Sequence, residues 1–191
     1  MKKVIIFISW VLVTAISFTL SPWSELGFGS FLASCLLLGF GQWLILLMKT
    51  RISGWFIPVT AIAWFITWFV VVMIHSIFNL SSAYFSFVII ADIIAGVIMG
   101  LSQWLFLRLK LINAGWWILS NVLGWVVAFS PVFIYINNEP LINSDILPNS
   151  GWDDGLLMGT AIGIITGITL VLLPVRQPET EIPSQTPVVP G

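Results

Sequence analysis

The stretch GFGQWLILLMK at 39–49 recurs without a gap as GLSQWLFLRLK at 100–110. The offset is 61, and the match runs on through Gly54-Trp55 over Gly115-Trp116, Ile57 over Ile118 and Trp64 over Trp125. Ten of the 26 positions from 39 to 64 are identical. Apolar bias alone would give scattered Leu matches, not Gln-Trp and Gly-Trp pairs in register. A weaker third copy follows at offset 63, where Gly159, Gly163 and Thr166 stand in the columns of Gly96, Gly100 and Gln103. In the first copy those columns hold Cys35, Gly39 and Gln42. Positions i, i+4 and i+7 share one face of a helix, so each copy carries a small–small–polar stripe. The unit is two helices, which returns the chain to the side it left. Three tandem helical hairpins of one orientation are therefore expected, not an inverted repeat of the transporter kind.

Composition sets the solvent around these hairpins. Of 191 residues, 59% are hydrophobic and 8% charged, whereas a soluble domain is typically about a quarter charged. An all-α transmembrane protein, a six-helix bundle, is the expectation. Spans of about 20 apolar residues are read at 4–20, 27–48, 55–78, 84–107, 116–136 and 155–173, which makes 1–173 one membrane domain. Residues 174–191 hold five of the ten prolines and read as a flexible, partly extended cytoplasmic tail. Lys2, Lys3, Lys49, Arg51, Arg108, Lys110 and Arg176 all fall on one side of these spans, and Glu25, Glu139, Asp145, Asp153 and Asp154 on the other. Basic loops stay inside, so both termini are expected in the cytoplasm. Trp23 and Trp152 would mark the outer interface, and Trp43, Trp55, Trp104, Trp116 and Trp117 the inner one. Met1-Lys2-Lys3 ahead of an apolar run, with Ala15-Ile16-Ser17 as a cleavage site, also reads as a secretory signal. The length of the run and the even span count favour an uncleaved anchor. Asn79-Leu80-Ser81 matches a glycosylation sequon but lies hard against the membrane.

The elements Gly100-x-x-Gln103-Trp104-x-x-Leu107-Arg108, Gly115-Trp116-Trp117 and Gly124-Trp125 resemble those of a family of small multi-pass bacterial membrane proteins. That family carries repeated G-x-x-Q-W-x-x-L-R and G-W-W segments and a glycine-zippered last helix, here Gly155, Gly159 and Gly163. The resemblance covers roughly residues 27–173. It implies a multi-pass topology in a bacterial cytoplasmic membrane and carries no activity. The first copy departs from the pattern, with Leu47 where the Arg stands and the charge moved to Lys49 and Arg51.

Few residues are left to carry chemistry. Lipid gives helices no hydrophobic reason to associate, so Gly39, Gly96, Gly100, Gly159 and Gly163 read as packing positions. Gln42 and Gln103 are buried amides that need partners, with Asn121 the natural candidate for Gln103 and Thr60 its counterpart beside Gln42. These groups read as an interhelical clamp, or more sharply as a site for a polar ligand or head group. Asp92 is the one ionisable residue inside a span, and such a charge is a functional candidate by default. It sits four residues before Gly96, about 12 Å below the outer boundary at 1.5 Å per residue, with Ser130 at similar depth. Its counterparts are Phe31 and Gly155, so the charge belongs to one copy alone.

Several functions are excluded or disfavoured. A net charge of −1 supplies no basic field for nucleic acid. Cys35 and His75 each stand alone, which removes most zinc sites and any Ser-His-Asp or Cys-His dyad that needs a second helper. Asp153-Asp154 matches no calcium loop. No cofactor or metal is expected, and no enzyme. The leading expectation is a non-catalytic membrane protein acting through helix–helix contact with a membrane-protein partner, or with its own copies, in the lipid bilayer. The alternative is a small transporter or channel for protons, cations or a small solute, centred on Asp92.

Overall fold

A computed structural model describes residues 1–20, 27–78, 84–138 and 152–177. These residues form six helices and no named strand: α1 (Lys2–Thr19), α2 (Gly27–Leu47), α3 (Phe56–Phe78), α4 (Tyr84–Leu107), α5 (Trp116–Asn138) and α6 (Trp152–Leu172). Five of them are long and apolar enough to cross a membrane; α5 has a shorter apolar helix, Trp116–Phe129, among the residues described in full. Trp23, Glu25, the sequon at 79–81, Glu139, Asp145 and the tail beyond 177 lie outside the described residues, as do the side chains of His75, Ser130, Trp152, Asp153 and Asp154.

Three helix ends show a local cause. α2 stops where Lys49, Thr50 and Arg51 replace the apolar run. α3 takes Pro58 in its first turn, where a missing N–H costs nothing. Asn113 turns the chain into α5 with φ 57, a left-handed conformation that Asn tolerates better than most residues.

The helices form a ring. Each lies alongside its neighbours in chain order, and α1 lies alongside α6 to close it, the most extensive pair of all. The inner faces bury Trp10, Trp117, Phe31, Phe56, Leu38 and Leu170, while Leu36, Phe40, Leu44, Ile62, Phe69, Leu105, Leu123 and Ile168 point outward and stay exposed. A belt of large apolar side chains this extensive would aggregate in water, and it suits helices long and apolar enough to cross a membrane. α1 is a full member of the ring: Trp10, Thr14, Ala15, Ser17 and Phe18 are buried. Cleavage after Ser17 would remove that wall.

The basic residues gather at one end, at the start of α1 and after α2, α4 and α6. Lys49 turns inward there. Its ammonium donates to the carbonyls of Leu170 and Leu173, the latter at 2.7 Å, and so caps the C-terminal end of α6, where the helix dipole favours a cation. Pro174, where the tail was expected to begin, stays on the bundle, its carbonyl accepting from Ile112 N–H at 2.9 Å.

Burial pushes the Lys49 ammonium down to about 8, and the charge of Lys3 adds to the effect. Between about 8 and 10.5 the unfolded chain therefore holds a proton that the folded chain has released, so this group makes stability rise with pH across that window. Melting curves in detergent from pH 7 to 10.5 should display this rise, and Lys49→Met should lack it.

Candidate functional site

The small residues of the even helices set the spacing of the interior. A Cβ on Gly96 would stand 2.5 Å from Val122 Cα, and one on Gly100 2.8 Å from Ile118 Cα, so α4 and α5 touch backbone to backbone. α6 meets α1 in the same way, with Gly159 at 2.7 Å from Ala15 Cα and Gly163 at 3.0 Å from Val11 Cα. Gly39 would meet the Ile57 carbonyl of α3 at 2.6 Å. Each candidate packing glycine thus faces the odd-numbered helix beside it.

One turn beyond these contacts, the polar residues converge on the axis of the ring. Gln103 Nε2 donates to Gln42 Oε1 at 2.7 Å, across from α4 to α2. Gln103 Oε1 accepts from the Trp117 indole at 2.9 Å. Gln42 Nε2 points at Thr14 Oγ1 at 3.4 Å, and the Trp10 indole donates to Thr166 Oγ1 at 2.9 Å. All of these groups are buried. Asn121 is buried beside them, but its Nδ2 donates to its own helix at Trp117 O, 2.9 Å away. The partner of Gln103 is therefore the other glutamine and not Asn121, because the two glutamines reach each other across the axis while Asn121 back-bonds within its turn. Thr60 Oγ1 is buried and has no partner among the described residues.

Aromatic rings close this layer on both sides. Trp10 and Trp117 meet edge to face at 5.4 Å on the side of the basic end. On the other side Phe18, Trp64 and Trp125 contact one another at 4.5 to 5.8 Å. Between the layers remains a cavity of about 10 Å³, bordered by Gln42, Gln103, Asn121, Thr14, Thr166 and the rings. That is room for one water molecule. Trp117 departs from the interfacial role expected of it, with no exposure, whereas Trp55 and Trp116 are 72% and 61% exposed. An indole that donates to a buried amide has a reason to leave the interface.

Asp92 lies apart from this layer. It is fully buried on α4, and both carboxylate oxygens lack a partner among the described residues. Thr67 Oγ1 on the adjacent α3 is buried and unpartnered as well. No group of metal-binding side chains occurs among the described residues.

Sequence reasoning gave Trp10 and Thr14 no place in this layer and took Trp117 for an interfacial residue. Their signal was present: Trp10, Thr14 and Phe18 stand 107 positions before Trp117, Asn121 and Trp125. Comparison with family models finds no match, and neither curated proteins nor solved structures give a significant one.

Gln103→Leu leaves a buried indole N–H and a buried amide oxygen without partners, at about 1–3 kcal/mol for a group so orphaned. A lowered melting temperature in detergent should report it. Gln42→Leu added to Gln103→Leu should cost less than the two singles summed, since the pair acts as a unit.

Proposed function

We propose that this chain is a non-catalytic, multi-pass membrane protein that works by helix–helix contact, as a compact partner of another membrane protein or of its own copies. The observation that carries this reading is the filled interior. Backbones approach to within one missing Cβ, and the axial cavity holds no more than one water molecule. A solute path needs a continuous polar space, and aromatic rings stand on both sides of the amide layer.

The same reading takes the architecture as three hairpins of one orientation, α2–α3, α4–α5 and α6–α1, around a pseudo-threefold axis. Support comes from matched contacts: Gly100 on Ile118 and Gly163 on Val11, Gly96 on Val122 and Gly159 on Ala15. Trp117 donates to Gln103 as Trp10 donates to Thr166. The basic end faces the cytoplasm on the positive-inside rule, with both termini there, and the resemblance of the repeated Gln-Trp and Gly-Trp elements favours a bacterial cytoplasmic membrane.

One observation favours a second reading. A fully buried carboxyl with both oxygens unpartnered among the described residues is costly in lipid and suits a proton or cation site at Asp92. Flux into liposomes loaded with a pH-sensitive dye separates the two. On the first reading, wild type and Asp92→Asn leak protons no faster than empty liposomes, and cross-linking in native membranes yields a defined complex. Proton flux that Asp92→Asn abolishes would overturn it in favour of the second.

A further inference from the structure

The connection between α4 and α5 meets the segment after α6 in a short antiparallel register. Arg176 N–H donates to Lys110 O at 2.8 Å, Ile112 N–H donates to Pro174 O at 2.9 Å, and Leu111 bridges Val175. That register sets Lys110 directly across from Arg176. The backbone hydrogen bond between them holds two exposed cationic residues side by side, and like charges brought so close repel. Both residues are exposed, and neither has an ion-pair partner among the described residues. No acid among those residues stands at this end: Asp92 lies within α4, and Asp153 and Asp154 open α6 at the opposite one.

Two more features belong to the same connection. The Arg108 guanidinium rests 4.8 Å over the Trp104 ring, two residues before Lys110. Trp116, the first residue of α5, is 61% exposed, an indole placed as those that lodge at the head-group level of a bilayer. Lys49, the counterpart of Lys110 in the first copy, is engaged with the end of α6. The opposed pair is thus peculiar to the α4–α5 connection among the described residues, just beyond the apolar end of α4.

We propose that Lys110 and Arg176 bind the phosphate of an anionic membrane lipid. A phosphate diester carries one negative charge over two free oxygens. It can accept from the guanidinium and the ammonium together and relieve their repulsion. Because the two cations sit on different segments, the lipid also fastens the exit of α6 to the α4–α5 connection.

Lipid binding to the full chain in detergent, read by native mass spectrometry with phosphatidylglycerol and phosphatidylcholine, tests this. Phosphatidylglycerol is expected to bind about tenfold tighter to wild type than to Lys110→Gln/Arg176→Gln, with the preference shrinking as salt rises. Lys2→Gln/Lys3→Gln removes the same charge from the same end and should keep the preference. Circular dichroism and melting temperature in phosphatidylcholine establish that each variant is folded. Equal phosphatidylglycerol binding by both double variants would overturn the proposal. So would displacement by inorganic phosphate at equal concentration, which would make a soluble anion the ligand. A lipid preference that emerges only in Glu179→Gln/Glu181→Gln would assign the pair to the chain's own tail instead, and would also overturn it.

Discussion

Helices already dissolved in lipid gain nothing hydrophobic by touching, so this bundle depends on how closely its backbones can approach. The glycines of α4 and α6 supply that closeness, with Val122, Ile118, Ala15 and Val11 occupying the space where a Cβ would stand. Dispersion falls steeply with separation, and a methyl group inserted at any of these contacts would push two helices apart along their whole length. The rest of the interior inherits its dimensions from this spacing. The glutamine pair spans the axis at 2.7 Å because the helices that carry it are held at that distance. The aromatic layers meet for the same reason.

The polar layer has the opposite logic. In hydrocarbon an amide without a partner is costly, so buried Gln42 and Gln103 are tolerable only as a connected set. Their oxygens accept, and their nitrogens donate toward Gln42 Oε1 and Thr14 Oγ1. Such a set specifies one arrangement of α1, α2, α4 and α5, where an all-leucine interior would accept many. Asp92 and Thr67, buried with oxygens that have no partner among the described residues, break this pattern.

The six helices were legible because an apolar run of about 20 residues has one solution in a bilayer, and the glycine faces because spacing of four and seven fixes a helix side. The partners were less legible. Asn121 has the right depth to meet Gln103, yet an asparagine in a helix can also bond to the carbonyl four residues back, and depth alone does not decide between them. Trp117 sits next to Trp116 at the mouth of α5, and only rotation about the helix axis tells the buried indole from the exposed one. α1 was obscured by its likeness to a secretory signal, a resemblance of composition that says nothing about which side chains face inward.

The closure of the ring by α1 and α6 bears on how the protein is made. Neighbouring hairpins can form as soon as two adjacent segments leave the ribosome, since their contacts are local in sequence. α1 cannot find its most extensive partner until α6 has been synthesised, more than 130 residues later. Throughout that interval its buried face, with Trp10 and Thr14, waits in lipid against α2 alone. Insertion and assembly are therefore separated in time, and the entry of α6 turns an open arc of segments into a closed ring.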